Sequence, residues 1–102
     1  SSDVCSSDLM DETFFMFNED VDWCRRMNLA GWSVDYVPAA RVVHHIGASK
    51  GEVSNRVIRE RHRGMLYYYR KYHRSSPPVD ALVALVIELR MRLLVFLNGP
   101  DR

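Results

Sequence analysis

Between Phe14 and Trp32 the chain reads FFMFNEDVDWCRRMNLAGW: an aromatic run stops at Asn18, two carboxylates follow, and an amphipathic segment runs to Gly31. No other stretch limits the possible folds as strongly. Asparagine is a good helix N-cap, the first turn of a helix favours negative charge, and glycine ends helices, so the order predicts a helix from Glu19 to Ala30. Trp23, Cys24, Met27 and Ala30 fall at helical spacing and are expected to form one buried stripe, with Asp22, Arg25 and Arg26 largely on other faces. A carboxylate at such a helix start is fixed and still accessible.

Before that stretch, Asp3 to Leu9 reads DVCSSDL, which looks like the conceptual translation of a sequencing-adapter oligonucleotide and lacks the basic and apolar regions of a signal peptide. Residues 1–9 are therefore expected to be non-native, with the natural sequence beginning near Met10. With 102 residues, 47% of them apolar, and a net charge of +1, the chain has material for one modest core and the balance of an ordinary soluble protein. Cys5 and Cys24 lie far apart without flanking ligand patterns, so neither a disulfide framework nor a cysteine metal site is expected, and a reduced cytoplasmic compartment is the default.

Beyond Trp32, Ser33 to Val37 alternates polar and apolar up to Pro38, and Arg41 to His45 is a β-branched run, so two short strands joined by a Pro-Ala-Ala turn are expected. Ile46 to Glu52 contains two glycines and reads as a loop. From Val53 to about His73 the spacing of Ile58, His62, Met65, Tyr69 and Tyr72 predicts a long helix with one apolar and aromatic side. Its other faces are basic: Lys50 to Arg74 carries eight Lys and Arg against two Glu, a net +6, which leaves the rest of the chain at −5. Ser75 to Pro78 reads as a linker. Val79 to Leu97 is a strongly apolar helix, but three charges in its second half, at roughly 2.5 to 3.5 kcal/mol each in a bilayer centre, argue against a membrane span. A helix packed on other protein, or lying in a membrane interface, fits better, with Glu88 and Arg92 paired on its exposed side.

Two groups of residues carry chemistry. Glu19, Asp20 and Asp22, with Arg26 four residues after Asp22, are either dipole compensation and a surface ion pair, or the setting of a general base. Val42-Val43-His44-His45 runs into Ile46-Gly47-Ala48-Ser49. Successive strand residues face opposite sides, so at most one histidine points into a given site, and one histidine by itself is more often a structural, hydrogen-bonded residue than a metal ligand.

Taken together in order, DE-x-FF, the ED-x-D-x-x-x-R helix, a following GW, a V-P-x-A turn and H-x-x-G-x-S resemble the C-terminal part of the catalytic domain of family 2 glycosyltransferases of the GT-A type, closest to their rhamnosyltransferase-like members. The resemblance is close over Met10 to Ser49 and looser over the basic helix. It implies an α/β fold: a C-terminal fragment of a GT-A domain at residues 10–74, with a helix and two short strands followed by two long helices. Residues 75–102 form an apolar C-terminal helix, packing or membrane-interfacial. By resemblance Asp20 matches the base that deprotonates an acceptor hydroxyl, with Glu19 as the second choice. His44 matches the position that completes a site for Mg2+ or Mn2+. Asp22 and Arg26 match the rest of the helix motif in a supporting role, and Trp23, Gly47 and Ser49 are expected to support the site or touch substrate.

The implied partners are a nucleotide-sugar donor and a glycan or lipid-linked acceptor, in an inverting transfer that builds cell-envelope glycan. The implied location is peripheral, at the cytoplasmic face of the plasma membrane. The half of such a domain that binds the nucleotide and carries a DxD metal motif has no counterpart here, so the 102-residue chain is expected to be inactive alone. The alternative is a non-enzymatic basic α/β module binding nucleic acid or an acidic surface, for which Tyr67, Tyr68, Tyr69 and Tyr72 supply stacking faces. The apolar helix that follows favours an anionic lipid surface over nucleic acid.

Overall fold

The computed structural model describes residues 9–43 and 54–100. Among the described residues three helices form: α1, Glu19–Leu29; α2, Asn55–Tyr72; and α3, Pro77–Asn98. Each lies within two residues of the span its periodicity predicts. Ser54 caps α2, its side chain accepting from the Val57 N–H at 3.4 Å, and Pro77 and Pro78 occupy the first positions of α3. The expected linker is thus shorter than its composition implies, because proline fits the first helical turn, where its missing N–H has no intrahelical partner to lose.

α2 and α3 are an antiparallel hairpin joined at both ends by polar contacts. At one end the Tyr69 hydroxyl donates to Asp80 Oδ1 at 2.8 Å, which also accepts from the Ser75 N–H at 2.9 Å. At the other, buried Asn55 donates to the Gly99 carbonyl at 2.7 Å and accepts from Asn98 Nδ2 at 3.1 Å. Glu88 and Arg92 pair on the exposed side at 2.7 Å, as their spacing predicts.

The expected α/β architecture is corrected by the structure: the fold is helical, and no strand forms among the described residues. Ser33 to Val43 is irregular, with a turn at residues 38–39 where the Ala40 N–H donates to the Val37 carbonyl at 3.1 Å, and Val34, Tyr36, Val37, Val42 and Val43 are all exposed. β-branched composition favours an extended backbone, but a strand is completed by a neighbour that takes its N–H and C=O groups, and among the described residues this segment has none. His44 and His45, the end of the second expected strand, lie outside the described residues, as do Gly47 and Ser49. The expected stripe on α1 is also different: Trp23, Cys24 and Met27 are only half-buried, Ala30 is exposed, and the fully buried residue is Asp22.

Apolar burial is slight. Among the described residues Phe14 is the one buried apolar side chain, packed edge-on against Tyr67 with ring centroids 4.9 Å apart. A fully buried Phe contributes about 1.5 to 3 kcal/mol, which is the cost of ordering roughly two residues. What holds α1 against α2 is therefore largely polar, and it is concentrated where α1 begins.

Candidate functional site

α1 starts from a strained turn. Phe17 and Asn18 both adopt left-handed backbone conformations, φ 67° and 66°, at a cost of about 1 to 3 kcal/mol each. Asn18 occupies the N-cap position, and its carbonyl accepts from the Asp22 N–H at 2.9 Å, but its side chain makes no capping bond, contrary to what a local reading of an asparagine there suggests. The turn is held by a close approach of α2 at Gly64. A Cβ on Gly64 would sit 3.0 Å from Asn18 Nδ2, 3.3 Å from the Phe17 carbonyl oxygen and 3.5 Å from the Phe14 ring. Only the missing side chain lets the turn lie that close. Arg56 and Arg61 of α2 cover the rings of Phe15 and Phe17 at 4.8 and 5.3 Å.

The three acidic residues of α1 have three different surroundings. Asp20 is exposed, its Oδ1 accepting from the Val21 N–H at 2.8 Å. Glu19 is half-buried, with its Oε2 and the neighbouring Asn18 Nδ2 both buried and unpaired among the described residues. Asp22 is 0% exposed and fully engaged: Oδ2 accepts from Arg26 Nε at 2.8 Å, and Oδ1 accepts from the Tyr72 hydroxyl at 2.7 Å and from Lys71 Nζ at 2.8 Å. Lys71 also reaches Asp11 Oδ2 at 2.7 Å, where the Tyr67 hydroxyl donates at 3.1 Å. Arg26 donates in addition to the Leu9 carbonyl.

Burial is the largest single influence on the Asp22 carboxyl and pushes its pKa up. The bonds from Lys71, Tyr72 and Arg26, with the Lys71 charge, outweigh burial and hold it below the usual carboxylate range. Asp11 behaves alike, burial opposed by Lys71, Thr13 and Tyr67, with a net fall. For Lys71, burial acts to lower the pKa, and its bonds to Asp11 and Asp22 raise it well above the ordinary lysine value. Burial and then the bond to Asp22 push the Tyr72 hydroxyl up. Asp22 and Arg26, expected to support the site, anchor α1 to the end of α2. Arg25 adds to this clamp, lying 4.4 Å over the Tyr72 ring with Nη1 3.2 Å from His73 Nε2.

The tyrosines are thereby taken up by the fold. Tyr67 packs on Phe14, Tyr68 on Tyr72 at 5.0 Å, Tyr69 binds Asp80 and Tyr72 binds Asp22.

With the geometry in view, the relatives are informative. The chain is 51% identical over 41 residues to the N-acetylglucosaminyl-diphospho-decaprenol L-rhamnosyltransferase of Mycobacterium tuberculosis, a match covering 40% of this chain and 13% of that enzyme. It is 41% identical over 44 residues to rhamnosyltransferase WbbL of Escherichia coli, covering 43% of this chain and 17% of that protein. This stretch is similar to rhamnosyltransferases. The chain thus matches less than a fifth of the length of the curated relatives, and the matches support kinship with glycosyltransferases at that coarser level. No protein-family profile matches the chain, and no solved structure does.

The metal expected beside His44 finds no cage in what is described: among those residues no three of His, Cys, Asp and Glu come together to hold an ion. The sequence reading also gave no site role to Gly64, Lys71 and Asp11. Gly64 had a readable signal, an isolated glycine inside a helical pattern, which commonly marks a close approach. Asp11 was read only as the start of DE-x-FF, and its pairing with Lys71 had no local signal, since it joins positions sixty residues apart.

Proposed function

We propose that this stretch is the acceptor-activating part of a family 2 glycosyltransferase, with Asp20 as the general base. The supporting observation is the division of labour along α1: Asp22 is buried in the clamp to α2, and Asp20, two residues after the strained turn, is left exposed on a fixed helix start. A general base needs a carboxylate held in place and reachable by a hydroxyl. In the proposed reaction Asp20 takes the proton of an acceptor hydroxyl as that oxygen attacks the anomeric carbon of a nucleotide-sugar. The bond from that carbon to the diphosphate breaks, the nucleoside diphosphate leaves with the electron pair, and the configuration inverts. Glu19 is the weaker choice for the base because its carboxylate is partly buried.

The similarity to rhamnosyltransferases supports rhamnose, or a related hexose, as the sugar, and a lipid-linked glycan as the acceptor. No step is assigned to a metal ion, although His44 remains the ligand this stretch is proposed to supply. The proposed location is the cytoplasmic face of the plasma membrane. No helix among the described residues is long and apolar enough to cross a membrane. α3 nevertheless turns Val79, Leu82, Leu85, Val86, Leu89, Leu93, Phe96 and Leu97 outward beside basic α2, the composition of an interfacial helix near anionic headgroups.

The test is Asp20→Asn in the longer protein that contains this stretch, assayed for sugar transfer. A rate within twofold of the wild type rules out the assignment; a fall of about 10²- to 10⁴-fold is the expected contribution of a positioned base. The 102 residues alone are proposed to be inactive, and calorimetry showing tight, metal-dependent nucleotide-sugar binding to them would overturn that.

A further inference from the structure

We propose that the outward face of α3 pairs with the same face of a second copy of this chain, as a parallel two-helix coiled coil. α3 is apolar on two sides. On one, Ala84, Ile87, Met91 and Leu94 are half-buried, with Ala84 beside Tyr69 and Leu94 beside Val57 and Ile58 of α2. On the other, Val79, Leu82, Val86, Leu89, Leu93 and Phe96 are between 43% and 80% exposed.

The intervals between these six residues alternate three and four, the 3.5-residue repeat at which two helices keep one seam in contact. Val79, Val86 and Leu93 fill one seam position and Leu82, Leu89 and Phe96 the other; β-branched residues at the first with Leu at the second favour two parallel strands. A bilayer takes up apolar surface without regard to its order, so the repeat points to a helix as the partner. The flanks agree. In a parallel pair each residue beside the seam meets the one five places on in the other copy, which sets Leu85 opposite Arg90 and Arg92 opposite Leu97. No like charges face one another, and the arginine stems cover the leucines.

Size decides whether such a pair holds. A large aliphatic side chain carries on the order of 100 Å2 of apolar surface and a Phe about 200 Å2. Weighted by their exposures, the six seam residues with Leu85 and Leu97 offer about 550 Å2 in each copy, or about 1,100 Å2 in the pair. That clears the roughly 1,000 Å2 needed for a specific interface, at its weak end. The pair takes the residues a lipid surface would otherwise cover, and leaves Arg56, Arg59, Arg70 and Arg74 of α2 exposed to meet anionic headgroups. It does not rest on the base assignment above.

The experiment is sedimentation velocity of the 102-residue chain in detergent-free buffer, where a monomer–dimer equilibrium with a Kd on the order of 10 μM is expected. Leu89→Glu, an exposed position whose helicity is verified by circular dichroism, is expected to weaken it at least tenfold. Val42→Gln removes an equally exposed apolar residue off the seam and is expected to leave it unchanged. Orientation is read by oxidising Leu82→Cys in a Cys5→Ser, Cys24→Ser background. In a parallel pair the two introduced thiols lie side by side and form a disulfide, whereas in the antiparallel register of the same seam they are roughly 16 Å apart. A monomer at every concentration overturns the proposal, as does equal weakening by Val42→Gln, which reveals unspecific adhesion, or absence of the disulfide. The oxidation is repeated on vesicles of equal parts phosphatidylcholine and phosphatidylglycerol. The disulfide is expected to persist there; its loss makes lipid the occupant of the face and overturns the pairing.

Discussion

Asp22→Asn removes one charge and leaves the shape of the side chain nearly intact, which makes it a sharp probe of the clamp. With the new amide oxygen at the Oδ1 position it still accepts from Tyr72 and Lys71, but the NH₂ at the Oδ2 position faces Arg26 Nε, donor against donor, and the charge that held Arg26 and Lys71 is gone. Breaking a wholly buried ion pair by removing one partner costs about 3 to 5 kcal/mol. Here Asp22 is fully buried but the Arg26 and Lys71 side chains are 17% and 27% exposed, so water takes over part of their solvation and about 2 to 3 kcal/mol is expected. Read as amide hydrogen exchange along α1, that is roughly 30- to 150-fold faster exchange, since 1.4 kcal/mol is a factor of ten.

The pH dependence gives the same network a second signature. The Asp22 carboxyl titrates below its ordinary value of about 3.9, so its contribution is complete above that value and is lost as pH falls through the lowered folded pKa. Lys71 is shifted upward, so its contribution is complete below the ordinary lysine value of about 10.4 and is lost as pH rises through the folded pKa. The difference between wild type and variant should hold from about pH 5 to 10 and shrink outside that window. Unchanged exchange at pH 7, or a difference that does not shrink as pH falls below about 4, refutes the reasoning.

Other substitutions test other joints. Gly64→Ala gains about 1 kcal/mol of helix propensity, but the added methyl presses on the Asn18 side chain and the Phe17 carbonyl, and overpacking costs about 1 to 3 kcal/mol. A net loss of about 1 kcal/mol in denaturant titration is therefore expected, with NMR shifts at residues 17–20; a stabilised chain would show that the turn yields freely. Asn55→Ala removes the bonds to Gly99 and Asn98, and is expected to cost about 1 to 2 kcal/mol, seen as faster amide exchange in the last turn of α3. Glu88→Gln breaks an exposed pair and should move stability by less than about 0.5 kcal/mol, a control that fails if the change is larger.

The helices were legible because their determinants are local, the apolar spacing in α2 and α3, although Ser76-Pro77, which starts α3, reads as linker by composition. So was the Asp22–Arg26 pair, from its spacing of four. Which of the pairs is buried was not legible, because Asp22 is covered by Lys71 and Tyr72, some fifty positions away, while Glu88–Arg92 has the same spacing and stays exposed. The strands were misread for a related reason. Val34, Val37, Val42 and Val43 carry the propensity, but a ladder needs a neighbour that propensity does not supply. Asp20 stood out only through its order relative to Gly31-Trp32 and His44, and nothing local to it says whether it is buried.

The burial of Asp22 and the exposure of Asp20 are one fact. Residues two apart on an α-helix project about 200° apart, so a helix that presses Asp22 into α2 turns Asp20 away from it, while Glu19, three before Asp22, returns toward the buried side. The half-buried state of Glu19 follows from this rotation. The two aspartates should then fail differently in the longer protein. Asp20→Asn is expected to lose transfer without changing exchange along α1, and the loss should persist in an osmolyte such as trimethylamine N-oxide, which favours the compact state but restores no base. Asp22→Asn is expected to lose transfer through misplacement of α1, and the osmolyte should recover part of it as exchange slows. Recovery of Asp20→Asn by the osmolyte would mean that Asp20 acts through stability, and the base would have to be sought at Glu19.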